Sequence, residues 1–437
     1  MARAKKETAL TPEERLQAVL VPDWEWPHKL PENWCWLKLV ESFDNHTDSK
    51  KKIKQKDYLV KGKLAVVDQG QELIGGYTND VEKSYSGALP IVIFGDHTRC
   101  IKFVDFPFAQ GADGVKVLRP KPFYLPKAFY YVLQSVNIPN LGYRRHFPIF
   151  NKFSIPLPPF AEQQRIVDRI ESLFAKLDEA KEKAQAVVDS FETRKAAILH
   201  KAFTSELTAK WREEHGVRME SWRWIPLKKS GSWYGGGTPS MSRSEYWENG
   251  TLLWVTAKDM KSDLIEDTLM HTNMFGVENS SANYIAQPAV LFVMRSGILR
   301  RTFPVCMVKK PFTVNQDIKA LVPTDNIDLE YLFWGCKANE KRILESCMKN
   351  GTTVESINSA ALRDFEIPIA GSNEQIEIVR ILDAFFAKEQ QTKEAAEKVL
   401  DQIELMKKSI LARAFRGELG TNDPNEESAV ELLKQLI

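Results

Sequence analysis

A stretch that occurs twice constrains this chain more than any single motif does. Residues 155–207 read IPLPPFAEQQRIVDRIESLFAKLDEAKEKAQAVVDSFETRKAAILHKAFTSEL, and residues 367–419 read IPIAGSNEQIEIVRILDAFFAKEQQTKEAAEKVLDQIELMKKSILARAFRGEL. Slid over one another by 212 positions without a gap, they agree at 22 of 53 places, among them Glu162/Glu374, Gln163/Gln375, Phe174/Phe386, Glu192/Glu404 and Glu206/Glu418. Chance does not produce that agreement, and an internal duplication makes each copy a structural unit of its own.

Periodicity says what the unit is. Ile166, Ile170, Leu173, Leu177, Ala180, Ala184, Val187, Phe191 and Ile198 step by four and three alternately, and Ile378, Leu382, Phe385, Ala396, Val399, Ile403, Met406 and Ile410 repeat the pattern. This is a coiled-coil seam. The prolines of IPLPP cannot sit inside a helix, so the helices are expected to start near Glu162 and Asn373. A helix of about 40 residues is roughly 60 Å long, too long to be buried in an ordinary domain. Each seam has polar places, Arg194 in one and Glu389 and Thr392 in the other. Two matched copies favour an internal antiparallel pair over a dimerisation coil between chains.

Around these helices lie two globular stretches. The first, from about Trp26 to Phe153, carries short β-like runs at 64–70, 89–96, 101–106 and 115–118 separated by Gly and Pro. The second, from about Trp222 to Glu366, has strand candidates at 251–257, 289–295 and 304–310 and a helix candidate at 329–337. Both open on Trp-x-Trp, at Trp34 and Trp222, an offset of 188 against 212 for the helices, so the second is about 24 residues longer. A basic start and a helix capped by Thr11 precede them, as a docking arm, and the tail ends in the amphipathic SAVELLKQLI.

Composition excludes several classes. Five cysteines (Cys35, Cys100, Cys306, Cys336, Cys347) include no CxxC pair, so neither a zinc site nor a disulfide framework is indicated. No long apolar run or apolar signal core is present, so cytoplasm is the expected compartment, with no membrane. No GxxxxGK[ST] supports ATP binding. DFPF at Asp105 lacks the second proline of the loop with which a DNA methyltransferase holds a flipped base, and no Gly-rich cofactor motif accompanies it. His97 beside Asp96 has no third group for acid–base work, and Trp254, Phe292 and Trp334 read as core.

The local strings carry a family likeness. AEQQRIVDRIESLF, KAFTSELTAKWREE, GGGTPSMSRSEYW, NGTTVESINSAALRDFEIPI, VVDQGQELIGGYT, IFGDHTR, GADGVKVL and NLGYRRHF resemble the specificity subunits of Type I restriction-modification enzymes over roughly residues 26–419. The resemblance implies an α+β fold: two α/β target recognition domains separated by two long antiparallel coiled-coil helices, with an internal pseudo-two-fold repeat. It implies a helical arm over 1–26, a recognition domain over 27–154, a spacer helix over 155–210, a second recognition domain over 211–366, a second spacer helix over 367–419 and a tail over 420–437. Each recognition domain would read one half of a bipartite asymmetric site on double-stranded DNA. The helices would set the unread gap, so that a heptad inserted after both Ala184 and Ala396 lengthens it. Two methyltransferase subunits, and through them two restriction/translocase subunits, would dock on the chain, with arm and tail meeting to complete one docking surface. The chain itself would be non-catalytic and hold no cofactor; S-adenosylmethionine and ATP belong to the partners. The rival reading is a coiled-coil scaffold with two protein-binding globules.

Phosphates call for Lys and Arg, and base edges for Arg, Lys, Asn, Gln, Ser and Thr on loops or helix ends. In the first globule the candidates are Lys50, Lys51, Lys52 and Lys54, expected in a flexible loop, with Arg144 and Arg145; Gln69, His97 and Arg99 stand at strand ends within the family-like motifs. In the second they are Thr238 and Ser240 of the Gly-rich loop, Lys258, Arg295, Arg300, Arg301, Gln316, and Thr352 and Thr353 of NGTT.

Overall fold

The computed structural model describes residues 11–349 and 354–436. The chain divides into two compact units, 1–185 with 397–437, and 186–396, so the boundary crosses both copies of the repeat and each unit holds part of each spacer helix. The second spacer helix is continuous over Ser372–Ala414. The first is not: it runs over Phe160–Asp189, pauses at Ser190 and resumes over Phe191–Phe203. The seam's apolar rhythm runs through Val187 and Phe191 and falters only at Arg194, four residues beyond the pause. Ser190 Oγ donates to the carbonyl of Ala186 at 2.6 Å, competing for the helix's own acceptor, and the Arg194 guanidinium reaches the same hydroxyl and the Val187 carbonyl. Backbone bonds from Ser190 to Ala186 and from Arg194 to Ser190 carry the helical path through.

Pairing is antiparallel within each unit. In the first, Lys181 Nζ meets Glu404 Oε1 at 2.7 Å and Lys407 Nζ meets Asp178 Oδ1 at 2.5 Å, so numbers rise along one helix as they fall along the other. In the second, Arg194 Nε donates to Glu389 Oε2 at 2.7 Å and the Lys393 ammonium lies 4.9 Å from the Phe191 ring. Two of the polar interruptions of the seam therefore answer each other.

The globular parts repeat one frame. The first has an antiparallel sheet ordered Phe43–Asn45, Val115–Pro120, Ile91–Gly95, Ile101–Val104, and a second ordered Gly76–Thr78, Leu64–Val67, Phe108–Gln110 in which the last two strands are parallel. The second has Gly231–Gly235, Ile318–Pro323, Ala289–Val293, Val305–Val308, Leu264–Ile265, and beside it His271–Thr272, Leu252–Val255, Phe312–Val314, again with a parallel final pair. Ile91–Gly95 and Ala289–Val293 are buried at every residue, which is why both read as continuous apolar runs rather than alternating ones. The helices Pro126–Ser135 and Leu329–Ala338 follow in equivalent places. Tyr124 and Tyr331 donate their phenols to the carbonyls of Pro156 and Pro368, which are 212 positions apart. Trp254, Phe292 and Trp334 are core.

Each unit is closed by a buried glutamate at the start of its spacer helix. Glu374 accepts from Trp222 Nε1 at 3.0 Å, from Thr208 Oγ1 at 2.6 Å and from the Arg212 guanidinium. Glu162 accepts from Trp34 Nε1 at 2.7 Å, from Thr421 Oγ1 at 3.0 Å and from Asn422 Nδ2 at 2.8 Å. The first unit thus takes from the tail what the second takes from the segment after helix Phe191–Phe203. Arm and tail do meet: Leu16 and Val19 of helix Pro12–Val19 share a core with Ala429 and Leu433 of helix Ala429–Leu436, and Arg165 clamps Glu426 through both guanidinium nitrogens at 2.7 and 2.8 Å. Among the described residues no helix is long and apolar enough to cross a membrane.

Candidate nucleic-acid interface

In the first unit the candidates collect where the strands Leu64–Val67, Phe108–Gln110 and Ile91–Gly95 end. Gln69 follows the first of these, and its side-chain oxygen accepts from the backbone N–H of His97 at 3.1 Å while its carbonyl accepts from Thr98 Oγ1 at 2.6 Å. Gln69 therefore staples two loops and keeps its amide nitrogen for other work. Gly114 lies against both residues with φ +90; a Cβ there would meet Gln69 Oε1 at 2.5 Å and His97 at 2.9 Å, so only glycine allows this approach. Below, nearly buried Lys102 donates to the Glu72 carbonyl and stands 3.5 Å from Asp68; burial pushes the Lys102 pKa down, partly offset by Asp68. Asp68 in turn accepts from the N–H of Gly70 at 2.8 Å, so this pair fixes the base of the loop that carries Gln69.

The lysine run is not a flexible loop. Ile53 is buried against Leu64, Val66 and Ala109 and its N–H donates to the Gln110 carbonyl at 2.9 Å, because one apolar residue amid the lysines is enough to anchor the turn. Lys51 Nζ donates to the Ser84 carbonyl at 3.2 Å, and Lys52 lies 3.7 Å from Asp113, the neighbour of Gly114. Lys50 and Lys54 are exposed. Lys52 is thereby brought to the loop that packs on Gln69 and His97. Arg144 and Arg145 are exposed beside Tyr143, whose ring stacks on His97 with centroids 4.8 Å apart and planes 13° apart. Tyr143 was missed because a search for cations and hydrogen-bonding side chains passes over it. His97 does not pair with Asp96, which instead accepts from the N–H of Phe147 at 2.8 Å.

Arg99 stands apart from this group. Its backbone is left-handed, with φ 62, and the guanidinium donates to the Ile138 carbonyl at 2.9 Å. It lines a 710 Å³ cavity with Tyr130, Tyr131, Lys407 and Lys408.

The second unit presents the equivalent strand ends. Lys258 and Arg295 line one 590 Å³ cavity with Asn315 and Asp317. Arg295 Nε donates to Asp317 Oδ1 at 2.8 Å, and Thr238 Oγ1 donates to Gln316 Oε1 at 2.8 Å. Asp259 shapes the Lys258 turn by accepting from Thr256 N at 2.8 Å and from Leu269 N at 2.8 Å. Arg300 holds Glu355 and keeps its carboxyl below the usual range. Ser240 is exposed and bonds Ser242 at 2.9 Å; Arg301 is exposed at the end of the turn Gly297–Arg300. Thr352 and Thr353 lie outside the described residues. Among those described, no cluster of His, Cys, Asp and Glu is arranged to hold a metal.

Among the second unit's candidates Arg295 and Arg300 are paired with carboxylates, whereas in the first unit Lys52 is the candidate that meets one. Both sets stand on loops fixed by buried strands, an arrangement suited to reading a shape and a pattern of donors and acceptors.

Comparison with known proteins agrees over both halves. The family model described as Type I restriction modification DNA specificity domain matches residues 31–188 and again 233–401. The Type I restriction enzyme EcoR124I/EcoR124II specificity subunit of Escherichia coli is 30% identical over 364 residues, which is 80% of this chain and 86% of that one. The EcoDI specificity subunit of E. coli is 23% identical over 72% of this chain and 77% of its own length. A solved structure titled for complex assembly and conformational transition of the type I R-M system matches with a TM-score of 0.65 at 18% identity, covering 90% of this chain and 100% of that one. The HsdS subunit from Thermoanaerobacter tengcongensis matches with a TM-score of 0.55 at 18% identity and the same coverage.

Proposed function

The chain belongs to the specificity subunits of Type I restriction-modification enzymes, and from that membership we propose that its two recognition domains each read one half of a split site on double-stranded DNA. One observation carries the reading: His97 stands two residues beyond the strand Ile91–Gly95 with Gln69 bonded to its N–H, and Arg295 stands two residues beyond Ala289–Val293 with Lys258 in the same cavity. The same frame offers different side chains at the same place, as two readers of two different sequences require. The charged residues nearby supply the sequence-independent phosphate term. The proposed domain limits are those expected from the sequence, 27–154 and 211–366 for the readers and 155–210 and 367–419 for the helices.

The proposal extends to partners. Methyltransferase subunits, two of them, dock on the chain and bring S-adenosylmethionine, and restriction/translocase subunits bring ATP; the chain works in the cytoplasm without a catalytic group or cofactor of its own. The meeting of arm and tail supports a docking surface there. The test is co-expression with the neighbouring methyltransferase subunit in a host free of DNA methylation, followed by genome-wide mapping of modified adenines. One motif with two specified halves around a fixed unspecified gap is the expected result. A stable complex that leaves DNA unmarked and shows no salt-dependent DNA retention favours the scaffold reading.

A further inference from the structure

Tyr143 is 88% exposed, yet it is not loose. Its loop is closed on itself by His146, which ties Leu141 to Asp96, the residue after the strand Ile91–Gly95. His146 is fully buried; its Nδ1 contacts the Asp96 carbonyl at 2.9 Å and its Nε2 receives the N–H of Leu141 at 3.2 Å. Only the neutral ring with its proton on Nδ1 satisfies both, so the imidazole acts as a staple. Phe147 then stacks on Phe150 in the core, and Asp96 accepts the Phe147 N–H at 2.8 Å. At the other end Gly142, with φ +69 and nothing within 4 Å of where a Cβ would be, turns the chain outward.

The phenol rests on His97, and that contact serves folding poorly. Most of the Tyr143 ring stays in water. His97 Nδ1 is buried without a hydrogen-bond partner, so the fold loses rather than gains at this ring. A ring that gains little burial, yet is held flat on a histidine by a clipped loop, is best accounted for by a third flat group that completes the stack. Arg144 and Arg145, exposed next in sequence, would meet phosphates on either side of it.

We propose that Tyr143 is a specificity-determining residue of the first domain: its open face packs against a DNA base at a step that opens to admit it, with His97 as the platform behind. This rests on the reading of the first domain as a DNA reader. Aromatic or apolar side chains that enter between bases select steps that unstack easily, and pyrimidine–purine steps do so most readily. Tyr143 therefore demands such a step within one half of the motif.

The test compares wild type, Tyr143→Phe and Tyr143→Ala as full chains in complex with the methyltransferase subunit. Modified adenines are mapped first. The ratio of affinities for a short duplex bearing the wild-type motif and for a scrambled duplex is then measured across a salt series. Base stacking on an aromatic contributes about 1–3 kcal/mol, so Y143A is expected to lower that ratio about 5- to 150-fold. Its salt slope should stay unchanged, because every cation that meets a phosphate is still in place, and one half of its motif should relax while the other stays intact. Y143F should keep the wild-type motif. A Y143A complex with wild-type motif and ratio overturns the role of Tyr143 alone, as does an equal loss on both duplexes. A wild-type complex that marks no split motif removes the reading beneath the proposal, and the proposal with it.

Discussion

His97 and Arg295 occupy the same place in the two recognition domains and keep opposite company. His97 lies under an exposed tyrosine, near a lysine turn and two exposed arginines; Arg295 is aimed by Asp317 and neighboured by the Arg300–Glu355 pair. The closures of the two units differ in the same sense. Glu374 is met by the guanidinium of Arg212, whereas the direct donors to Glu162 are the neutral groups of Trp34, Thr421 and Asn422. A duplicated frame has kept its backbone, its buried carboxylates and a Trp and a Thr donor to each, while the third donor diverged to Arg212 in one and Asn422 in the other. Burial fixes the carboxylate and its need for donors, but any donor of the right reach satisfies it.

The difference can be broken at its strongest point first. Deleting residues 420–437 removes the buried Leu433 and two donors to Glu162. Burial of one such side chain and satisfaction of one buried acceptor together amount to roughly 3–6 kcal/mol. Hydrogen exchange should show that loss in residues 11–185 and leave 186–396 protected; the same variant should bind one methyltransferase subunit more weakly. Arg212→Met is expected to cost about 3–5 kcal/mol, since it leaves a buried carboxylate without its cation. Exchange should now rise in 186–396 alone. Asn422→Ala, in the unit closed by neutral donors, should cost only about 1–3 kcal/mol, and an equal cost for the two substitutions would erase the contrast.

The reading ends can be separated in the same way, with smaller effects. Arg295→Ala should reduce discrimination at the second half-site by about 1–3 kcal/mol, the worth of one well-placed base contact, with little change in salt slope. Changing Lys50, Lys51, Lys52 and Lys54 to Gln should instead weaken binding on specific and scrambled duplexes alike, with the salt slope falling by about 0.9 for each phosphate that is no longer neutralised. If the lysine changes altered the motif, or Arg295→Ala altered only the slope, the division of labour between phosphate-contacting and base-reading side chains would be reversed.

Much of the frame was legible in the sequence because it is written in periodicity and repetition. Residue patterns alone placed both spacer helices, their antiparallel pairing, the fully buried strands and the extra length of the second domain. What escaped depends on single side chains and long-range partners. The pause at Ser190 coincides with one hydroxyl that shares the Ala186 carbonyl with the helix's own N–H and with the Arg194 guanidinium folding back on it, details no periodicity records. The lysine run looked unanchored because the burial of Ile53 depends on strands ten to sixty residues on, Leu64 and Ala109 among them. The repeat singled out Glu162 and Glu374, but nothing local says that one waits for the tail and the other for Arg212. Tyr143 hid among residues sought for charge, and the left-handed backbone that turns Arg99 toward Ile138 has no sequence mark.

Split reading by two domains is the claim on which the rest depends, and exchanging one domain tests it most directly. Residues 27–154 would be replaced by the corresponding domain of another specificity subunit whose motif has been mapped by the same method, and modified adenines mapped again beside the wild-type chain. The account predicts a hybrid motif: one half replaced, the other half and the length of the unread gap unchanged. A motif altered in both halves, or one left as in the wild type by an assembled complex, would contradict it.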